Sequence, residues 1–321
     1  MPRLRFLPNR LLATLAGTLA VSGSLLVFPA GIPVLLAAWL MVHSTQVYRG
    51  ESGGLPLVVA ALVPFVKGSV LIPGLLGFAA LALVIGVLRT VRRLRFGWRG
   101  ELALLTLLWL AWGALLLDWQ RSFRASPSRF SVPAGPVVCL GDSLTANGYP
   151  RELAGLLTVP VLDFGVDGST SLEGLRRLPA IVANRPQVVV VALGGHDYLR
   201  GRSRSATRAN LEGLVAGCRA AGAEVILVEI PRGFVFDPYR GLEREIARKH
   251  DLELISDTTI RRWVLFSPMA PPGRWLGTAW HLSDDGLHPN ARGNRILARR
   301  VARALERRFG PEILASEKGE R

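Results

Sequence analysis

Cysteine is nearly absent from this chain, with two residues in 321, so no disulfide framework can hold it together. Cys139 lies in an apolar strand-like run and Cys218 in a helix-like run, and both read as small buried side chains. Histidine is also sparse, at five residues. No cluster of His, Cys and carboxylates has ligand spacing, so neither a metal nor another cofactor is implied. Acid is the scarcer charge, because 24 Asp and Glu against 39 Lys and Arg leave a formal charge of +15. Such a charge suggests nucleic acid in a soluble protein, but no recognition motif and no interleaving of aromatic with basic residues accompanies it. Nucleic acid is therefore not an expected partner.

Carboxylates are missing altogether from Leu55 to Leu88. Half of the chain is hydrophobic and the mean hydropathy is +0.31, with the excess concentrated between residues 11 and 118. Leu11 to Pro29 is long enough to cross a bilayer and follows Arg3, Arg5 and Arg10, yet further apolar runs follow at once, which argues against a cleaved signal peptide. Gly31 to Val42 is either the return arm of a short hairpin or the continuation of a broken first span. Leu55 to Leu88 would measure about 50 Å as one helix, against a hydrocarbon core of about 30 Å. It should break at Pro64, Lys67, Gly68 and Pro73, leaving Val70 to Leu88 as a span and Leu55 to Phe65 as a half-span or short partner. Leu102 to Leu117 is a further span.

The basic amino terminus and the loop carrying Arg89, Arg92, Arg93, Arg95 and Arg99 should both stay in the cytoplasm. An even number of crossings then separates them, and the last span delivers the polar half outside. The expectation is an all-α transmembrane region over 1–118 with three to five spans, lodged in the cytoplasmic (inner) membrane among its lipids. The catalytic part would face the extracytoplasmic side. No charged intramembrane pair points to transport, so the region reads as an anchor.

Residues 119–136 read as a linker, 137–310 as a domain large enough for its own core, and 311–321 as a polar tail. Val137 to Leu140, Val159 to Phe164, Gln187 to Leu193, Ala223 to Ile230 and Leu252 to Ile255 have the apolar, β-branched character of buried strands. Tyr149 to Leu157, Ser171 to Asn184, Ala206 to Ala221, Tyr239 to His250 and Ala291 to Arg308 read as helices. Strands alternating with helices predict an α/β fold with a parallel sheet covered on both faces. In such sheets ligands lie beyond the carboxyl ends of the strands, and the chemically loaded strings fall there.

Those strings are Gly141-Asp142-Ser143-Leu144 after the first strand, Asp163-Phe164-Gly165 with its glycine just after the second, Gly194-Gly195-His196-Asp197 after the third, and Asp285-Gly286-Leu287-His288-Pro289 before the last helix. A serine hydroxyl is a weak nucleophile at neutral pH, so an imidazole must take its proton and a carboxylate must orient that imidazole. Ser143, His288 and Asp285 supply the three. His281 and Asp284 form a rival pair, and Asp285 is favoured by its spacing to His288. Asp142 and Asp197 read as supporting or capping residues. Trp275, Trp280 and Leu282 read equally as an acyl pocket or as packing. His43 lies near a membrane boundary, and His250 ends a helix whose dipole suits an imidazolium.

With these residues placed, the polar half resembles the SGNH hydrolases, the GDSL esterase and lipase family, and within it the arylesterase and acyl-thioesterase type. The resemblance implies a flavodoxin-like three-layer αβα sandwich, with Ser143 as nucleophile, His288 as base and Asp285 as its partner. It also implies an oxyanion hole built from the amides of Ser143 and Gly165 with a side chain at position 196. The family pattern expects asparagine there, and this chain has His196, whose neutral imidazole carries one N–H donor. Thr145 excludes the G-x-S-x-G elbow of the α/β-hydrolases. The expected activity is hydrolysis of acyl or acetyl esters by a membrane-anchored serine enzyme without a cofactor. The alternatives are an O-acyltransferase or deacetylase acting on acetylated cell-envelope glycans, and a non-catalytic envelope-binding module.

Overall fold

The computed structural model describes residues 134–146, 148–232, 237–239 and 241–315. The expected membrane spans, the linker up to residue 133 and the end of the polar tail lie outside these residues. Among the described residues, no helix is long and apolar enough to cross a membrane.

Five short strands form one parallel sheet: β1 Val137–Gly141, β2 Val161–Gly165, β3 Val188–Ala192, β4 Glu224–Val228 and β5 Glu253–Ile255. Their spatial order is 2-1-3-4-5, with β1 between β2 and β3. This is the flavodoxin-like order, in which the reversal at β1/β3 opens a crevice beyond the carboxyl ends of those strands.

Helices occupy the connections: α1 Ser143–Ala146, α2 Tyr149–Ala154, α3 Ser171–Arg176, α4 Leu178–Ala183, α5 Gly195–Leu199, α6 Arg204–Ala220, α7 Leu242–Lys249, α8 Thr258–Leu265, α9 Pro271–Arg274 and α10 Ala291–Phe309. Alternate residues of the strands feed two cores. Val137, Cys139, Val188, Val190 and Ile226 pack with Tyr149, Leu153, Trp263, Leu297, Val301 and Leu305 on one face. Val138, Leu140, Val189, Val191 and Val225 pack with Ile181, Leu211, Leu214, Cys218, Leu242 and Ile246 on the other. Burial on both faces is why these strands read as continuous apolar runs, each fully buried aliphatic side chain contributing about 1.5–3 kcal/mol. Both cysteines are free and buried, and burial pushes their thiols up to about 12 for Cys139 and about 11 for Cys218.

The expected single helix over 171–184 is two helices, α3 and α4, meeting at Arg177. Pro179 cannot donate a helical hydrogen bond, and Arg177 turns inward to the ends of β1 and β2. Helix α8 was not anticipated because Arg261 lies on its buried side, 3% exposed, where its Nε donates to Asp257 Oδ2 at 2.5 Å. An arginine on the inner face breaks the apolar stripe by which a helix is recognised.

Two glycines set how closely the first turn approaches the sheet. Gly141 and Gly165 are paired across β1 and β2. A Cβ on Gly141 would lie 1.9 Å from Thr145 Oγ1, and one on Gly165 would lie 2.3 Å from the Ala146 amide nitrogen. The second contact is with backbone, which cannot swing aside. Gly165→Ala should therefore lower stability by about 1–3 kcal/mol in thermal unfolding of the purified chain. Gly155→Ala, whose Cβ would come no nearer than 3.6 Å to Glu152 O, should leave stability unchanged or slightly raised.

Candidate active site

Strand β1 ends at Gly141, and the next residue shapes the turn that presents Ser143. The Asp142 carbonyl accepts from Thr145 N and Ala146 N, both at 3.0 Å, and its Oδ1 accepts from Leu144 N at 3.0 Å. Asp142 is thus the cap of α1, which agrees with its supporting role and leaves Ser143 as the first helical residue. The Asp142 side chain is buried, and burial pushes its carboxyl up to about 6 against the Leu144 hydrogen bond and the nearby His196 and His288.

The last loop is folded around Asp285. Its Oδ1 accepts from Leu287 N at 2.8 Å, His288 N at 2.7 Å and Ser283 Oγ at 3.1 Å. Gly286, at φ +78°, makes the bend and donates to Ser283 Oγ at 2.9 Å. Asp285 Oδ2 lies 2.7 Å from His288 Nδ1, and His288 Nε2 lies 3.1 Å from Ser143 Oγ. Burial works to raise the Asp285 carboxyl, but the hydrogen bonds from the His288 ring, the two amides and Ser283 outweigh it and hold the group well below the usual carboxylate range. An ionised Asp285 accepts a hydrogen bond from the His288 Nδ1–H, which leaves Nε2 able to accept from the serine hydroxyl. The rival pair is engaged elsewhere, since His281 Nε2 contacts Gly273 O at 3.0 Å and Asp284 Oδ1 accepts from Asn290 Nδ2 at 3.1 Å. Asn290 also caps α10, accepting from Arg292 N and Gly293 N at 3.1 Å, and so fixes the helix directly behind His288.

The other two loops bring further groups. The Gly165 amide, expected to face the nucleophile, donates instead to Asp163 Oδ1 at 2.8 Å; this glycine is required by the close approach of α1. Three residues on, Gly168 sits at φ +72° in a turn closed by Ser169 N to Val166 O at 3.1 Å. Its carbonyl accepts from Arg200 at 2.8 Å. Among the described residues, the Gly168 amide donates to no acceptor. The Asp-Gly pair at 167–168 is an ordinary turn signal that sequence reasoning passed over.

His196 lies in the first turn of α5, half-buried. Arg232 holds that turn from below: its side chain is 1% exposed, its Nε donates to Gly194 O at 3.1 Å, and its guanidinium pairs with Glu243. Asp197 ties the loop after β3 to the loop after β2, accepting from Ser171 N at 2.7 Å and Ser171 Oγ at 2.5 Å. Arg177 closes the ends of β1 and β2, donating to Phe164 O at 2.6 Å and Gly141 O at 3.3 Å. No local pattern marks Arg177 or Arg232, because each acts across distant segments. Leu282 is buried in the core, whereas Trp275 and Trp280 are exposed at 82% and 60%. Among the described residues, no group of three or more His, Cys, Asp and Glu side chains could hold a metal ion.

A hydroxyl, an imidazole and a carboxylate in line at the switch point of a parallel α/β sheet define the class of serine hydrolases. Residues 139–296 match the model of the GDSL-like Lipase/Acylhydrolase family. The chain is 29% identical over 192 residues to the thioesterase 1/protease 1/lysophospholipase L1 of Escherichia coli (strain K12), covering 55% of this chain and 86% of that protein. It is 42% identical over 97 residues to the esterase TesA of Pseudomonas aeruginosa, covering 30% of this chain and 44% of the relative. The crystal structure of the psychrotrophic esterase EstA from Pseudoalteromonas sp. aligns at 23% identity with a TM-score of 0.44, over 54% of this chain and 97% of that one. Over residues 139–296 the chain is thus similar to the GDSL, or SGNH, family of ester hydrolases.

The raised Asp142 carboxyl has a consequence for stability. The folded protein holds this proton up to about pH 6, whereas an unfolded chain releases it near about 4. Between those values the folded state binds more protons, so stability falls as pH rises through the window. Asp142→Asn should flatten that fall and raise stability above the window by about 1–3 kcal/mol. Denaturant unfolding on either side of the window checks this, and parallel slopes in wild type and variant would refute the shift.

Proposed function

We propose that this protein is a membrane-tethered serine esterase that hydrolyses carboxylic esters through an acyl-enzyme on Ser143, with its catalytic domain on the extracytoplasmic side of the cytoplasmic membrane. The observation that carries the chemistry is the relay from Ser143 Oγ through His288, at 3.1 Å, to Asp285, at 2.7 Å. The tether rests on the long apolar runs and flanking arginines of residues 1–118.

Ser143 Oγ attacks the ester carbonyl carbon as its proton passes to His288 Nε2, and ionised Asp285 stabilises the resulting imidazolium. The developing oxyanion is assigned to the Ser143 amide, the Gly168 amide and a His196 ring N–H; Gly168 replaces Gly165 because the Gly165 amide is committed to Asp163. His288 then protonates the departing alkoxide. Water, deprotonated by the same imidazole, attacks the acyl carbon; the bond to Ser143 Oγ breaks, His288 returns the proton to that oxygen, and the acid is released.

Val166, Met269 and Leu287 are exposed on the loops after β2, after α8 and beside His288. They favour an ester with an apolar acyl chain, in keeping with the thioesterase and lysophospholipase names of the Escherichia coli relative. A fluorophosphonate probe should label the detergent-solubilised wild type and leave Ser143→Ala unlabelled; an unlabelled wild type, or a labelled Ser143→Ala, overturns the assignment. His196→Ala should slow labelling and ester turnover by about 10²-fold, the usual consequence of losing one oxyanion donor. Equal rates would remove His196 from the oxyanion hole.

A further inference from the structure

Helix α10 begins two residues after Pro289 and carries an unusual outer face. Its inner side buries Leu297, Ala298, Val301 and Leu305, and its outer side exposes Arg295, Arg299, Arg303 and Arg307 at four-residue spacing. Like charges at that spacing lie beside one another and repel. Arg307 is paired with Glu253. Among the described residues, no carboxylate lies within ion-pair distance of Arg295, Arg299 or Arg303. Arg300 shares the field: burial lowers its pKa, and the charges of Arg303, Arg262 and Arg307 lower it further.

At the head of this belt the Arg292 guanidinium lies 5.2 Å from the ring centre of Trp280, which is largely exposed, and exposed Trp275 lies in the same loop. Exposed tryptophan beside arginine is the chemistry of a membrane–water interface, where the indole sits at headgroup level and the guanidinium meets phosphate. Grooves for single-stranded nucleic acid instead interleave aromatic side chains with basic ones along the strand. Here the aromatics gather at one end, next to the loop that holds His288.

We propose that the outer face of α10, with Trp280 at its head, docks on an anionic phospholipid surface and holds the Ser143–His288 pair beside that surface. Substrate would then enter from the lipid side. The inference rests on the membrane siting proposed above and adds to it an orientation and a lipid preference.

The test uses the full chain in lipid nanodiscs of phosphatidylcholine alone or mixed with phosphatidylglycerol. Arginine modification by phenylglyoxal is read residue by residue by mass spectrometry. Retention in neutral discs reports the tether, and the charge-dependent footprint reports docking, so the two fail separately. Arg295, Arg299 and Arg303 should be modified about five-fold more slowly in the anionic discs, with the protection lost at high salt. In the triple variant Arg295→Gln, Arg299→Gln, Arg303→Gln, the protection of Arg292 should disappear while fluorophosphonate labelling in detergent is unchanged. Equal modification in both discs overturns the proposal. So does stronger protection in neutral discs by added DNA or RNA than by phosphatidylglycerol, which would make nucleic acid the partner.

Discussion

The 3.1 Å contact between Ser143 Oγ and His288 Nε2 joins residues 145 positions apart, and no local structure can make it. Ser143 is placed by β1 and its Asp142 cap, while His288 is placed by α10, whose Leu297, Val301 and Leu305 pack on the same face of the sheet as Val137 and Cys139. The separation of the Ser143 hydroxyl and the His288 imidazole is therefore set by how α10 seats on the sheet. Proton transfer tolerates little error in that distance. The seat is fastened at the far end of the helix, where buried Arg308 donates to Glu224 at 2.7 Å and to Asp251 O at 3.2 Å.

Arginine serves this protein in two opposite ways. Arg177, Arg232 and Arg308 turn inward and bind backbone carbonyls at strand and loop ends. Burying such a cation costs desolvation that its hydrogen-bond and ion-pair partners must first offset, so these contacts are weak sources of net stability. What they supply is direction. The planar guanidinium of Arg232 bridges Gly194 O and Glu243 and fixes the turn that carries His196. The outer arginines Arg295, Arg299 and Arg303 of α10 do nothing comparable within the domain.

The fold was legible because strands buried on both faces must be apolar throughout, and helices packed on one side must repeat at helical spacing. Ser143, Asp285 and His288 were legible because the chemistry needs those residue types next to turn-forming neighbours. The amide proposed for the oxyanion was not. Gly165 ends β2 and Gly168 follows it, and which amide is available depends on Asp163 accepting from the residue two ahead and on Arg200 crossing from another loop. Neither contact has a sequence period. The same holds for α8, whose inner face carries Arg261 because Asp257 stands ready to pair with it. Sequence patterning reports burial of apolar groups well and burial of compensated charge poorly.

Asp142 shows why a site can oppose the fold that bears it. An amide at this position could cap α1 equally well, accepting from Leu144 N without the desolvation that pushes the carboxyl up. The charge has a different use. Both His196 and His288 lie within electrostatic reach of Asp142. In the reaction proposed above the base becomes an imidazolium, and a buried anion nearby lowers the energy of that state more than solvent-screened charge would. The same carboxylate therefore weakens the folded state as it ionises and strengthens the charge-separated state that catalysis must pass through.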